Sequence, residues 1–296
     1  MTPAVQQAIN LYLDDLIEFK NCMEFFALFA GLKPVVRITA LSSDLSIIEN
    51  SMQPFVDHIE RSPLALAKVY ANDLGDKFYK LVSGPASKFD LLVAYFGVVD
   101  KVEEAIHAEI TGCDDQTTAM TLGYPSCCAS NYTTIKQGQH WIHSYLKNVR
   151  GFSEASWRVN KIASLFPPYL TLLPDYFPCS VECKLTLHLA HVYHGILMEQ
   201  GLGEIEKLLN AHLTGLTIIA GGEILFSKDY TRAENGRFVI KPSFQRLRFD
   251  SSQQGLPQQI QSVNVSSGHL KFIIGEEYPA QLDITLGDAE GVILFS

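Results

Sequence analysis

The sequence predicts an α+β protein, with a mainly helical N-terminal and central part and a small antiparallel β domain at the C-terminus. Three observations support this class. Apolar residues recur at helical spacing after the N-terminus, amphipathic stretches surround two cysteine pairs, and short apolar runs separated by turn residues begin near Thr214. The predicted segments are 1–120, acidic and mostly helical with a short strand pair; 121–212, the helical cysteine-motif core; and 213–296, the small β domain.

The first segment opens with a predicted helix between Thr2 and Gly31. Thr2 can cap this helix, Pro3 fits its first turn, and Gly31 followed by Pro34 ends it. The later elements are helices over 45–59, 64–70 and VDKVEEAIHAEI, an extended PVVRITA, strands in KFYKLVSG and FDLLVAYFG, and a loop at GCDDQTT.

The second segment is predicted to be helical around the cysteines. Pro125 suits the first turn of a helix that runs from Ser126 toward Lys136. Ser180 is the expected N-cap of a long helix, VECKLTLHLAHVYHGILMEQ, which ends at Gly201. The remaining amphipathic stretches are QHWIHSYLKNV, EASWRVNKIASLF and GEIEKLLNAHL.

The third segment carries the clearest strand signals. Asn235-Gly236 between two strand-like runs is a strong local indication of a hairpin, and SSQQGLPQQIQS is typical of a polar loop. The segment therefore predicts a small β domain, or an antiparallel sheet laid over the helices. Its strand-like runs are TIIAGGEILF, RFVIKPS, HLKFIIG, QLDITLG and GVILFS.

The charge and hydropathy of the chain limit its partners and its compartment. The net charge is −9, and residues 1–120 carry −8 of it. Acidic surfaces repel phosphate backbones and no basic stripe with interleaved aromatic residues occurs elsewhere, so we expect no nucleic acid partner. No apolar run approaches the ~20 residues of a membrane-spanning helix, and the N-terminus lacks a basic leader. We therefore expect a cytoplasmic protein without a membrane partner, whose thiols stay reduced.

Four of the six cysteines lie in two short stretches, LGYPSCC and FPCSVEC, and we expect them to converge on one metal site. Cys179 and Cys183 would flank the start of a helix, where unpaired N–H groups and the helix dipole favour thiolates. Cys127 and Cys128 are adjacent, and adjacent residues on a helix diverge by about 100°. One of these two is therefore expected to face the second pair while the other packs or serves as an accessory ligand.

The donor set leaves the cofactor open between an iron–sulfur cluster and zinc. Three cysteines with one open position would suit a cluster that binds a small-molecule substrate, which would make the protein a metal-dependent enzyme. Four cysteines would suit a closed zinc site or a conventional cluster. The spacing does not match a CxxC…CxxC signature.

Three other interpretations of the cysteines stay open. The chain could be a metal-free thiol/disulfide redox protein, or the thiols could be inert core residues. It could also be a non-enzymatic interaction protein that binds through residues 213–296. The remaining two cysteines have simpler interpretations, since Cys22 lies in an amphipathic helix and Cys113 stands alone in a loop.

The histidines and Glu182 do not indicate a catalytic site. His188 and His191 are expected on a partly exposed helix flank, and the 1.5 Å rise per residue places His194 roughly 16 Å from Cys183. His140 and His143 have the same spacing and receive the same interpretation. Glu182 is more typical of a helix N-terminus than of a proton carrier. The sequence contains no HExxH, GxSxG, phosphate-loop or GxGxxG motif.

Over residues 85–230 the chain resembles an uncharacterised prokaryotic family, domain of unknown function 483. The family motifs are Gly-Tyr-Pro-x-Cys-Cys and Pro-Cys-Ser-x-x-Cys. The resemblance implies that the four cysteines belong to one module, and it implies no activity. The family often places a histidine where this chain has Tyr176, so any role of that histidine would be altered or lost here. The matching residues are Gly123, Tyr124, Pro125, Cys127 and Cys128, then Pro178, Cys179, Ser180 and Cys183.

Overall fold

The structure is a computed structural model of the 296-residue chain. It describes residues 1–71, 77–83, 91–111, 115–136, 145, 150–163, 170–173, 178–220, 223–232, 237–240, 244–248, 260–266, 269–274, 280–285 and 290–296.

The described residues contain eight α-helices, two short 3₁₀ helices and fourteen strands, so the predicted α+β class is confirmed. The helices are α1 Pro3–Leu13, α2 Phe19–Phe29, α3 Ser42–Met52, α4 Val99–Thr111, α5 Asp115–Thr121, α6 Ser126–Lys136, α7 Lys184–Glu199 and α8 Gly203–Leu213. The strands are β1 Val35–Ala40, β2 His58–Ala71, β3 Lys77–Ser83, β4 Leu91–Gly97, β5 Arg150–Ala155, β6 Gly215–Ala220, β7 Glu223–Ser227, β8 Tyr230–Arg232, β9 Arg237–Ile240, β10 Gln245–Arg248, β11 Ile260–Ser266, β12 His269–Ile274, β13 Ala280–Thr285 and β14 Glu290–Phe295.

One compact unit comprises Met1–Gln139, Leu172–Cys179 and His188–Glu206. It contains an antiparallel sheet with the strand order β1-β4-β2-β3. Helix α4 packs on this sheet through a core cluster that also includes Leu122, and Tyr124 packs against the same cluster. The chain just before the first cysteine pair is therefore anchored to the core of this unit. The other members of the cluster are Val35, Val93, Tyr95, Val102, Ala105 and Ile106.

The second unit comprises His140–Thr171, Ser180–Leu187 and Lys207–Ser296 and contains two five-stranded sheets. Their strand orders are β10-β7-β6-β14-β5 and β13-β12-β11-β9-β8. All residues of β6 are buried. Among the described residues, the strand pairings of these two sheets are antiparallel except that of β14 with β5, which is parallel. The division of the chain into segments 1–120, 121–212 and 213–296 stays a prediction.

Strand β5, from outside the predicted C-terminal β domain, joins one of these sheets, and its pairing with β14 is parallel. Strand β5 covers Arg150–Ala155 and so includes the first two residues of EASWRVNKIASLF, which we predicted to be an amphipathic stretch of the helical segment. The chain instead pairs with β14 as far as Ala155 and then forms a single 3₁₀ turn over Trp157–Val159. The Ser156 hydroxyl accepts from the Arg158 N–H at 3.4 Å and caps this turn. The partner strand lies 140 positions further along the chain, so local periodicity carries no sign of it.

The N-terminal helix is capped as predicted but is interrupted in the middle. The Val5 N–H donates to the Thr2 hydroxyl at 3.3 Å, and Gly31 follows α2 with a φ of 70°. Between α1 and α2 the chain turns at Asp14 and Asp15, and Asp15 has a φ of 57°. Aspartate tolerates this left-handed conformation better than most residues, so these two acids break the helix although the apolar spacing continues past them.

Three further expectations in the first 120 residues were wrong in part. The predicted helix over 64–70 lies within β2, where it pairs with β3 and β4, so the strand pair is part of a four-stranded sheet. The predicted helix over 45–59 ends at Met52, one 3₁₀ turn before β2. The predicted loop GCDDQTT enters α5 at Asp115. Cross-strand pairing outweighs the helical spacing of short apolar runs, which periodicity alone cannot resolve.

Candidate metal centre

The first cysteine pair lies in the opening turn of α6, whose predicted span from Ser126 to Lys136 is confirmed. Gly123 adopts a left-handed φ of 80°, which glycine accommodates without strain. The Tyr124 N–H donates to the Ala119 carbonyl at 3.0 Å and closes the end of α5. The Pro125 carbonyl then accepts from the N–H groups of Cys128 and Ala129, both at 2.9 Å, and so begins α6. We call residues 123–125 the GYP turn.

The second cysteine pair lies in a turn that precedes α7. We expected Ser180 to cap that helix, but α7 begins only at Lys184. The Ser180 carbonyl accepts from the Cys183 N–H at 3.2 Å, which closes a tight turn instead of the first helical turn. The Cys183 carbonyl accepts from the Leu187 N–H at 2.9 Å, so Cys183 itself occupies the cap position of α7.

The second turn is also held by a contact with a buried tyrosine. The Val181 N–H donates to the Tyr145 carbonyl at 2.9 Å. The Tyr145 hydroxyl in turn donates to the Val159 carbonyl at 2.5 Å, and the Tyr145 side chain is fully buried. Burial raises the pKa of Tyr145 well above its usual range, so this hydroxyl stays a donor. The position of Cys183 is therefore fixed by backbone bonds on both sides of Val181.

The structure brings together all four cysteines that the sequence singled out. Their Sγ atoms lie within 4.8 Å of one another, and we call Cys127, Cys128, Cys179 and Cys183 the thiol cluster. The Sγ atoms of Cys127 and Cys128 are 3.8 Å apart. For the second thiol of this pair we left open packing or a role as an accessory ligand, and the distances fit the accessory ligand. Helical Cα–Cβ bonds tilt toward the helix N-terminus, so two adjacent thiols in a first turn can both lean back toward the helix start.

Helix N-termini surround most of the thiol cluster. Cys127 and Cys128 lie in the first turn of α6 and Cys183 caps α7, so three of the four residues lie at helix N-termini, where unpaired N–H groups and the helix dipole create positive potential. The Cys179 N–H also donates to the Cys128 Sγ at 3.4 Å. Cys128 and Cys183 are buried, whereas Cys127 and Cys179 are half-buried. The cluster therefore has an inner and an outer pair of sulfur atoms.

Sequence reasoning missed two charged residues beside the GYP turn. Lys33 and Glu24 form an ion pair, and each is only 3% exposed. The Lys33 ammonium lies 4.5 Å from the centroid of the Tyr124 ring. Lysine and glutamate are rarely buried this deeply unless they are paired, and no spacing rule connects positions 24, 33 and 124. No pattern in the sequence could have found this contact.

Asn131 is a second residue that the sequence did not single out. It lies one helical turn after Cys127 on α6, and its buried amide nitrogen has no hydrogen-bond partner among the described residues. Residues four apart share a face of a helix, so this donor lies on the face that carries Cys127.

The other candidate residues lie apart from the thiol cluster or outside the described residues. His188, His191 and Glu182 are exposed, as expected for the two histidines, and His194 lies 3.3 Å from Glu206. Cys22 is 1% exposed, and burial raises the pKa of its thiol, which fits the predicted core role. Positions Cys113, His140, His143 and Tyr176 fall outside the described residues.

Comparisons with known proteins add no family or activity. No family model matches the chain. No curated protein and no solved structure matches it either. Among the helices in the described residues, none has the length and apolar character needed to cross a membrane. The geometry of the thiol cluster is therefore the basis for assigning a function.

Proposed function

We propose that the protein is a metalloprotein whose thiol cluster binds one zinc ion through four thiolates. The observation that carries this proposal is the mutual approach of the four Sγ atoms, all within 4.8 Å. They come from two stretches about fifty residues apart and include both members of the adjacent pair. Thiolates at this separation repel one another unless a cation or protons lie between them.

The spacing of the sulfur atoms favours a single ion over an iron–sulfur cluster. With a Zn–S distance of about 2.3 Å, the sulfurs of a tetrahedral site are about 3.8 Å apart. The Cys127–Cys128 separation is 3.8 Å, and the remaining pairs need to contract by 1 Å at most. In a four-iron cluster each cysteine binds a different iron, so its sulfurs stand further apart than around one ion. The cluster alternative therefore requires these four residues to separate.

A four-thiolate zinc site would be closed and would serve a structural role. Structural zinc sites are tetrahedral with four protein ligands, whereas catalytic zinc sites keep one position for water or substrate. The ion would connect the first turn of α6 with the turn at residues 179–183. Because such a site forms only in the folded chain, the binding free energy of the metal adds to the free energy of unfolding. A reducing compartment, the cytoplasm, is the proposed location.

The order of the two motifs supports the proposal that the chain is a member of the domain of unknown function 483 family. Both motifs contribute residues to the thiol cluster, and Gly123 and Pro125 lie in the turn that presents the first pair. The resemblance implies that the four cysteines belong to one module. The geometry supports this implication, because each motif supplies two of the four sulfur atoms.

Metal analysis of protein purified without oxygen tests this proposal. We expect about one zinc per chain and no acid-labile sulfide. Iron together with stoichiometric sulfide would show that the site holds an iron–sulfur cluster and not zinc. A chain without any metal, whose cluster thiols all react freely with a thiol reagent, would contradict both forms of the proposal.

The 3.8 Å approach of the Cys127 and Cys128 sulfurs also supports a second candidate function, metal-free thiol–disulfide chemistry. A disulfide would require two sulfurs of the cluster to close to about 2.05 Å. This function predicts a disulfide within the cluster that forms and breaks reversibly, and whose redox behaviour survives chelators. Peptide mapping of oxidised and reduced protein, before and after chelation, separates it from the zinc proposal.

A further inference from the structure

The Lys33–Glu24 pair is buried beside the turn that leads to the first cysteines. Glu24 lies on α2, and Lys33 follows the end of α2, where its N–H donates to the Ala27 carbonyl at 3.3 Å. Moving two charges from water into the protein interior has a large desolvation penalty, and the attraction between the charges only roughly offsets this penalty. The ion pair is therefore a weak source of fold stability, and its contacts with the neighbouring turn suggest a role in local geometry.

Lys33 contacts both residues that precede Pro125. Its ammonium lies 4.5 Å from the centroid of the Tyr124 ring, within the range of a cation–π interaction. Its aliphatic stem runs along Gly123, since a Cβ built on Gly123 would lie 3.4 Å from the Lys33 Cγ and 3.7 Å from the Lys33 Cε. The side chain thus touches two consecutive residues of the GYP turn, while Glu24 holds its charged end.

The GYP turn in turn sets the start of α6. Tyr124 closes α5 through its N–H, and the Pro125 carbonyl accepts the first two backbone bonds of α6. Cys127 and Cys128 follow Pro125 by two and three residues, so a displacement of the turn moves both sulfur atoms together. Metal sites lose affinity when ligands move by fractions of an ångström from their productive geometry.

We propose that Lys33, held by Glu24, is a positioning residue for the metal centre. It fixes the GYP turn against α2 so that the sulfurs of Cys127 and Cys128 meet those of Cys179 and Cys183. This inference rests on the proposed function. In this role Lys33 acts through Gly123 and Tyr124 and not as a metal ligand.

Metal release from a double variant tests the inference. Lys33→Met with Glu24→Gln removes both charges together and so leaves no unpaired buried ion. The matched control is Arg37→Met with Glu109→Gln, a second ion pair of the same unit, which contacts Tyr95 and Ser62. We measure the rate at which zinc passes to a chromogenic chelator, together with the urea midpoint of each metal-free protein.

The first double variant should release zinc about tenfold faster than wild type or more, as is typical when an outer-shell contact is lost. Its metal-free urea midpoint should stay close to that of the control, which should release zinc at nearly the wild-type rate. Equal release rates for Lys33→Met/Glu24→Gln and wild type would overturn the inference, as would equal acceleration in the two double variants. If the first double variant does not fold, Tyr124→Leu removes the ring under the ammonium, and an unchanged zinc release rate in that variant overturns the inference as well.

Alkylation of the metal-free proteins distinguishes a failure of this inference from a failure of the proposed function. A wild-type chain that takes up no zinc contradicts the proposed function, but the geometry of the thiols can still be measured. Cys128 is only 3% exposed, so its alkylation reports on opening of the first turn of α6. The inference predicts several-fold faster alkylation of Cys128 in Lys33→Met/Glu24→Gln than in the control pair. Equal alkylation rates would overturn it whether or not the protein binds metal.

Discussion

The backbone N–H of Cys179 donates a hydrogen bond to the Sγ of Cys128, 3.4 Å away, across a sequence separation of 51 residues. This bond connects the two cysteine motifs directly, and it does not depend on the side chain of Cys179. Hydrogen bonds to a charged acceptor stabilise the charged form, so the bond favours Cys128 as a thiolate. Cys128, the most buried residue of the cluster, thus receives a backbone donor.

Replacing single cysteines should distinguish the four proposed zinc ligands from a cysteine outside the thiol cluster. Cys128→Ser and Cys183→Ser should each lower zinc affinity by at least about tenfold, because a hydroxyl replaces a thiolate ligand at a buried position. Cys22→Ala is the control, since Cys22 is buried on α2 and is not one of the four clustered thiols. Zinc per chain after dialysis against a weak chelator measures the effect. Equal zinc loss from Cys22→Ala and Cys128→Ser would contradict the assigned ligands.

Glycine at position 123 should matter for metal retention and not only for stability. Gly123 and Gly201 both have left-handed φ values, 80° and 74°, so alanine should cost about 1 kcal/mol of unfolding free energy at either position. A Cβ at Gly201 meets nothing within 4 Å, whereas one at Gly123 contacts Lys33. We therefore expect Gly123→Ala to release zinc faster than Gly201→Ala at similar stability. The same release rate in both variants would show that the GYP turn does not set the cluster geometry.

The Arg37–Glu109 pair should show the large energetic effect of a broken buried ion pair. The Glu109 carboxylate accepts from Arg37 at 2.8 and 3.1 Å and from the Ser62 hydroxyl at 3.0 Å. Glu109→Ala should lower the free energy of unfolding by about 3 kcal/mol, near the lower limit for such pairs because the Arg37 side chain is 26% exposed.

A surface pair provides the control for this prediction. Glu49 binds Arg61 at 2.6 and 2.7 Å, but the Arg61 side chain is 40% exposed. Glu49→Ala should therefore cost less than about 1 kcal/mol. Urea unfolding of both variants measures the difference, and similar losses would contradict the role of burial.

The buried His212 should make the protein less stable in mild acid. Burial, and secondarily the charge of Lys228, lowers the pKa of His212, whose Nε2 donates to the Ala163 carbonyl at 3.0 Å. The folded protein therefore holds this ring neutral while the unfolded chain, with a pKa of 6.5, takes up a proton. Above pH 6.5 both states are neutral, so the full stability is present. As the pH falls from 6.5 toward the folded pKa, the free energy of unfolding should decrease by up to about 1.4 kcal/mol per pH unit.

The variant His212→Gln tests this pH dependence, because its amide can donate to the same carbonyl but does not titrate. Urea midpoints measured from pH 7.5 to pH 5 should fall less steeply in the variant than in wild type. Parallel curves for the two proteins would show that His212 does not titrate differently in the folded and unfolded states.

The sequence predicted elements whose signals are local. The span of α6, the cap at Thr2 and the end of α2 at Gly31 each depend on neighbouring residues. The convergence of the four cysteines was also predicted, because clustered thiols in a reduced protein are typical of a shared site. The arrangement of the adjacent thiols at the start of α6 depends on side-chain direction as well as on angular spacing, and the spacing alone left open whether the second thiol packs or serves as an accessory ligand.

Elements that depend on distant partners could not be predicted. Strand β5 exists because β14 pairs with it in parallel, and the segment at 64–70 is a strand because β3 and β4 flank it. The Lys33–Tyr124 contact joins residues that no periodicity relates. Each case depends on tertiary packing that overrides local propensity.

X-ray absorption at the metal edge of anaerobically purified protein tests whether the four cysteines bind a single zinc ion. We expect zinc with four sulfur neighbours at about 2.3 Å and no second metal nearby. Iron with a metal neighbour at short distance would contradict the single-ion site. An ion bound chiefly by nitrogen or oxygen would show that Cys127, Cys128, Cys179 and Cys183 are not its ligands.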